Sequence, residues 1–296
     1  MTIYPFMQVD AFADRPLSGN PCAILFDTDE LDVDTMLAIA REMNLSETAF
    51  VRQSAVADFG VRYFTPAEEI PMAGHPTIAT TFALIDSGRL RLTADHTTIT
   101  LELPIGPIRV DIHAHSDLVE RIVMTQKKPE FLSVHDPSLV LPLFGLTADD
   151  ALPHAPIQTV STGTPQLMIA VRGLDELRRV QMDISAYAAY RQQSDFFSPH
   201  LFCLGGVTPA GDTFARHFGV PPDTMEDPFT GSATGGMAAY LWRYGLIDKA
   251  TFVAEQGHWM DRPGQAMVEV VGPRDDIEAV KVGGAAVTVI RGEIQI

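Results

Sequence analysis

Two stretches of this chain match without a gap across 157 positions. Met72-Ala-Gly-His-Pro-Thr-Ile-Ala-Thr-Thr-Phe-Ala-Leu84 aligns with Phe229-Thr-Gly-Ser-Ala-Thr-Gly-Gly-Met-Ala-Ala-Tyr-Leu241, so that Gly74 meets Gly231, Thr77 meets Thr234 and Leu84 meets Leu241. Upstream, Val61-Arg-Tyr-Phe64 resembles Ala215-Arg-His-Phe218 after a small insertion. Both segments read as strand, loop, glycine turn and buried helix. Two copies spaced this widely imply two pseudo-symmetric halves, whereas a solenoid shows many copies of roughly 20–50 residues.

The segments around the repeat carry ordinary α and β signals. Ile3–Phe12, Ala23–Phe26, Thr48–Val51 and Phe59–Phe64 read as strands. Thr97–Glu102 and Ile108–Ile112 read as two more around Pro104–Gly106. Asp32–Met43 is helix-like, with Leu37, Ala40 and Met43 at helical spacing and Asn44 as its C-cap. Ile78–Ile85 is apolar nearly all round, the pattern of a buried helix. Pro76 fits a first helical position, where its missing N–H costs nothing.

The chain has 296 residues, 46% hydrophobic and 20% charged, enough for one large domain or two of ordinary size. No apolar run reaches the roughly 18–20 residues needed to span a bilayer, and the N-terminus lacks a basic-then-apolar signal. Two cysteines, Cys22 and Cys203, build neither a disulfide framework nor a zinc site, and read as core thiols in a reducing compartment. The net charge of −17 repels nucleic acid and anionic membrane. An anionic substrate would therefore need local donors. The N-termini of two buried helices facing one cleft supply such donors, because their first amides are unpaired and carry partial positive charge.

Candidate chemistry gathers at these turns. The small residues Gly231, Ser232, Ala233, Gly235 and Gly236 admit close approach, either of a ligand or of a packed strand. The turn lacks the Lys-Ser/Thr ending of a phosphate loop, and Ser232 lacks the Gly-x-Ser-x-Gly elbow of a hydrolase. His75 is either a helix cap or core histidine, or a site residue. Asp227 and Ser232 read equally as helix caps or as site residues. Glu47 reads as a solvated loop carboxylate, or as a carboxyl desolvated by Leu45, Ala49 and Phe50 and so tuned for proton transfer.

The segments Val9-Asp-Ala-Phe12, Gly19-Asn20, Asn44-Leu-Ser-Glu-Thr-Ala-Phe50, Arg62-Tyr-Phe-Thr-Pro66, Ala73-Gly-His-Pro76 and Glu226-Asp-Pro-Phe-Thr-Gly-Ser232 resemble the phenazine-biosynthesis PhzF-like family, in its order and spacing. The resemblance implies an α+β, diaminopimelate epimerase-like fold: two pseudo-symmetric halves, each a curved sheet or open barrel around a central helix. The expected halves are residues 1–125 and 126–285, with a crossover near Lys127-Lys128-Pro129 and a last strand, 286–296, returning to the first half. It further implies a cytoplasmic homodimer without cofactor or metal, acting on a small carboxylate-bearing substrate. Glu47 matches the family's acid/base. His75 and Asp227 match further catalytic positions. Gly74, Gly231 and Ser232 match the substrate-holding turns. In the namesake member a dihydro-hydroxyanthranilate is isomerised to a ketone by proton shifts.

Epimerases of this fold carry a cysteine before each glycine turn. This chain has Ala73 and Thr230 there, and neither forms a thiolate. The expected function is therefore a proton-shift isomerase using one carboxyl. The alternatives are an amino-acid or hydroxy-acid epimerase pairing Glu47 with another group, and a non-catalytic small-acid binding protein.

Overall fold

The apolar run after His75 does become a buried helix, and it sits inside a curled sheet. The computed structural model describes residues 1–116 and 118–296. The first half runs β1 (Ile3–Ala11), β2 (Asn20–Leu25), α1 (Val33–Met43), β3 (Glu47–Arg52), β4 (Phe59–Phe64), β5 (Glu69–Ile70), α2 (His75–Asp86), β6 (His96–Leu103), β7 (Gly106–His115) and β8 (Leu118–Gln126). The second runs β9 (Glu130–Val134), α3 (Pro137–Val140), β10 (Gln158–Ser161), β11 (Pro165–Ala170), α4 (Leu174–Arg179), α5 (Ile184–Arg191), β12 (Ser198–Leu204), β13 (Thr213–Phe218), β14 (Glu226–Asp227), α6 (Gly231–Arg243), β15 (Thr251–Gln256), β16 (Gly264–Val271) and β17 (Ala279–Gly284). The last strand is β18 (Ala286–Gln295).

The pairing is repeated strand for strand. β2–β3 is parallel, as is β11–β12. β4–β6 is parallel, as is β13–β15. The last strand crosses back to the first half: β18 pairs with β1, as its counterpart β9 pairs with β10 within the second half. Lys127–Pro129 links β8 to β9, and the β8–β17 pairing makes the two halves one continuous 18-stranded sheet. The repeat extends to side chains. Arg62 forks onto Glu69 at 2.7 and 2.6 Å, and Arg216 forks onto Glu226 at 2.8 and 2.7 Å.

Local chemistry accounts for the helices. Asp32 caps α1 by accepting from the Thr35 amide at 2.7 Å, and Asn44 ends it in the left-handed region. The α1 residues Met36, Ile39 and Ala40 pack on Leu25, Phe50 and Phe64. Helix α2 touches β1, β2, β3, β8 and β18, while α6 touches β10, β11, β16 and β17. Each is thus ringed by strands, which explains an apolar surface all round. Their buried threonines bond backward to the helix itself, Thr77 to the Ala73 carbonyl at 2.8 Å and Thr234 to the Thr230 carbonyl at 2.9 Å.

Three local expectations shift. Pro76 is the second residue of α2, because Gly74 is its N-cap. Glu47 does not precede a strand but opens β3. Asp227 does not cap α6: Thr230 holds the N-cap position and Asp227 lies on β14, opposite His217 of β13.

Candidate active site

The two glycine turns meet. A Cβ at Gly74 would lie 2.5 Å from the Ser232 amide nitrogen and 2.8 Å from Gly231 Cα. Glycine is needed at 74 for this backbone approach, which brings the first turns of α2 and α6 together. Further along α6, the small residues serve packing. Gly235 faces the Gln126 side chain and Gly236 faces Met168.

Beside this junction lies a cavity of about 530 Å³, lined from both halves. Glu47, Ala73, Asp227 and Ser232 reach its wall. His75, Gly74 and Gly231 do not; His75 is 2% exposed and stands behind Glu47. Among the described residues Arg191 is the one Lys or Arg on a wall that also carries Glu68, Glu69 and Asp223. A carboxylate in this cavity must therefore rely mainly on backbone amides.

Glu47 enters the cavity from the first residue of β3 and is only 19% exposed at its side chain. Its Oε2 is 3.3 Å from His75 Nε2. Burial pushes the Glu47 carboxyl well above the usual carboxylate range, and the nearby negative charges of Asp227 and Asp223 push the same way. Burial pulls His75 down to about 4, with Asp227 opposing. The ring is thus neutral near pH 7. The Asn20 amide nitrogen lies 3.0 Å from His75 Nδ1, and its two hydrogens go to Asp227 Oδ1 at 2.7 Å and to the Phe229 carbonyl at 2.8 Å.

Asp227 is held from several sides. Its Oδ1 accepts from Asn20 Nδ2 and from Ser46 Oγ, both at 2.7 Å, and its Oδ2 accepts from the Thr230 hydroxyl. Its backbone carbonyl accepts from Gln256 Nε2 at 2.6 Å. Asn20, Ser46, Thr230 and Gln256 were not assigned site roles from the sequence. Asn20, Ser46 and Thr230 sit inside the motifs Gly19-Asn20, Asn44–Phe50 and Glu226–Ser232, and Gln256 lies outside them. Asn20 lies 207 residues from Asp227 and bonds across the two halves.

Glu47, His75 and Asp227 each offer one atom within 4.8 Å of the others, a spacing a cation could use. Asp227 already accepts from Asn20, Ser46 and Thr230, and burial holds Glu47 toward its protonated form. The set suits a shared proton better than a metal. Cys22 pairs with Glu47 in register, yet it is fully buried and its thiol is pushed well up, mainly by desolvation. It is no substitute for the missing turn cysteines.

A two-fold repeated α+β fold with a desolvated carboxyl between its halves defines the class: an isomerase of the diaminopimelate epimerase-like fold. The chain belongs to the phenazine biosynthesis-like (PhzC–PhzF) family, whose model matches residues 9–292. It is similar to a trans-2,3-dihydro-3-hydroxyanthranilate isomerase of Pseudomonas fluorescens, at 32% identity over 99% of each chain. It superposes on a PhzF-family phenazine biosynthesis protein of Bacillus anthracis with TM-score 0.87, 30% identity and full coverage of both chains. A hydroxyproline epimerase from Agrobacterium vitis shares the fold, at TM-score 0.69 and 11% identity, over 99% of this chain and 92% of its own.

Proposed function

We propose that Glu47 is the acid/base of a cofactor-independent isomerisation. It takes a proton from one carbon of a small carboxylate-bearing substrate and returns it to another. His75, behind it, orients the carboxyl and shares its proton. The first-turn amide of Ser232, on the cavity wall, binds the substrate carboxylate, Gly74 and Gly231 set its position by their close approach, and Asp227 braces the junction through Asn20, Ser46 and Thr230. The carrying observation is the desolvated Glu47 carboxyl, 3.3 Å from a neutral imidazole and open to the cavity. General acid–base catalysis of this kind contributes roughly 10²–10⁴-fold to a rate.

The epimerase reading needs a second base, and Ala73 and Thr230 provide none at the turns. The same reading includes a division of the chain at Lys127–Pro129 and a cytoplasmic homodimer. No helix among the described residues is long and apolar enough to cross a membrane. The experiment is turnover of trans-2,3-dihydro-3-hydroxyanthranilate and related ring acids by wild type, Glu47→Gln and Glu47→Asp. The glutamine variant loses at least 10²-fold, and the aspartate keeps part of the rate. A glutamine variant as fast as wild type ends the proposal.

A further inference from the structure

The strand registers reveal what occupies the symmetry position of Glu47. In the first half Cys22 pairs with Glu47, and Ala49 pairs with Tyr63. In the second, Gln166 pairs with Ser198, and His200 pairs with His217. The Arg62–Glu69 and Arg216–Glu226 forks fix the alignment. Ser198 is therefore the counterpart of Glu47, His217 of Tyr63 and His200 of Ala49. Ser198, His217 and Gln166 line the same cavity as Glu47.

These side chains form one buried hydrogen-bonded row. Ser198 Oγ donates to Gln166 Oε1 at 2.7 Å and lies 2.9 Å from His217 Nε2. His217 Nδ1 is 3.3 Å from His200 Nδ1. The proton positions follow in order. The serine proton points to Gln166, so its oxygen accepts from His217 Nε2–H. Neutral His217 then has a bare Nδ1, which accepts from His200 Nδ1–H. His200 Nε2 is left buried and unpartnered. Desolvation holds both rings neutral, His217 at about 4 and His200 well below its usual value. The row is a donor chain with its polarity directed at Ser198. None of it takes part in the proton transfer assigned to Glu47.

We propose that Ser198, backed by His217 and His200, is the oxygen-side partner of Glu47: it donates a hydrogen bond to the substrate oxygen on which charge gathers while the proton is off carbon. This rests on the isomerase reading above. When a C–H bond conjugated with a substrate carbonyl breaks, its proton goes to the Glu47 carboxylate and its electron pair moves through the conjugated system onto that carbonyl oxygen as an enolate, whose enol form a ring hydroxyl mimics. When the proton returns to the second carbon, the pair moves back. Ser198 gains and loses no proton; it turns its hydroxyl from Gln166 to the oxygen. A neutral donor positioned beforehand stabilises such charge without reorganisation. His217 and His200 are positioning residues that keep the Ser198 oxygen supplied with a donor.

Anthranilate and 3-hydroxyanthranilate, which differ by one oxygen, test this by calorimetry on the full chain and on Ser198→Ala and Ser198→Thr. Histidine ¹⁵N signals are recorded on the same samples. Wild type is expected to prefer the hydroxylated acid by about tenfold, the worth of one good hydrogen bond. Ser198→Ala erases the preference while still binding anthranilate, and Ser198→Thr restores it. His217 carries its proton on Nε2 and His200 on Nδ1, and the His217 signal moves only with the hydroxylated acid. A preference that survives Ser198→Ala, or a proton on His217 Nδ1, overturns the inference and leaves the Glu47 reading standing. Failure of wild type to bind either acid counts against the acid-binding reading itself, and this inference falls with it.

Discussion

Glu47 Oε2 and His75 Nε2 lie 3.3 Å apart, and both atoms are buried without a hydrogen-bond partner, each other included, among the described residues. The carboxyl faces the cavity and the imidazole does not. In the proposed mechanism this arrangement separates contact with substrate from control of the proton.

It has a cost in stability with a definite sign. Burial raises the folded pKa of Glu47, so the folded chain holds this proton at pH values where the unfolded chain has released it. The stability linked to Glu47 is complete below the ordinary carboxylate range and drains as pH rises toward the folded pKa. Glu47→Gln avoids this loss. At about pH 8 the variant should melt a few degrees above wild type, and the gap should close toward about pH 4. Differential scanning calorimetry at both ends of the range measures it. A variant that melts lower than wild type at about pH 8 contradicts the buried-carboxyl account.

His75 works in the opposite direction. Its folded value of about 4 lies below the ordinary value of 6.5, so unfolding takes up a proton between those two pH values. Its contribution is complete above 6.5 and is lost as pH falls through about 4. His75→Asn should flatten the acid side of the stability curve relative to wild type. Urea titrations at steps across that window reveal the difference in slope, and parallel curves would show that His75 is not held neutral.

Gly74→Ala tests the contact between the two turns. The new Cβ would sit 2.5 Å from a backbone nitrogen, which cannot turn aside as a flexible side chain can. The helix starts must separate, at a cost of about 1–3 kcal/mol. Carboxylate affinity should fall more than stability does, because both turns are needed for it. Calorimetric titration with anthranilate alongside chemical denaturation separates the two effects.

Arg262→Ala tests the anchor of the Asn20 loop. Arg262 reaches Asp10 Oδ1 at 2.8 Å and also donates to the Gly19 and Ser18 carbonyls at 2.9 Å. Asp10 is 1% exposed, and burial already lifts its pKa despite the arginine. Removing Arg262 leaves that acid buried without its counter-charge, held by the Leu17 amide at 2.8 Å, a loss of about 3–5 kcal/mol. The double variant Asp10→Asn/Arg262→Ala should recover part of it in the same unfolding assay.

The legible parts of this protein were those written locally. The Met72–Leu84 and Phe229–Leu241 match announced two halves, and Thr77 and Thr234 proved to make the same backbone bond. The match of Val61–Phe64 with Ala215–Phe218 sets His217 against Tyr63. The second copy of Glu47 is hidden, because Ser198 shares no residue type with it and the intervening loops differ in length, and only the strand register aligns them. Asp227 resembled a helix cap because it precedes a helix start. Its actual partners, Asn20 and Ser46, lie 207 and 181 residues away, beyond any local pattern. Glu47 itself reads locally as a loop carboxylate, since its desolvation comes from the fold around it.

The central claim is that one carboxyl moves a proton between two carbons. Turnover of trans-2,3-dihydro-3-hydroxyanthranilate in heavy water, followed by ¹H and ²H NMR, tests it most directly. The account predicts a product with a shifted double bond and deuterium, where exchange occurs, only at the newly protonated carbon, with both signals lost in Glu47→Gln. Deuterium at an unmoved stereocentre, with the double bonds unchanged, would mean racemisation and would contradict it.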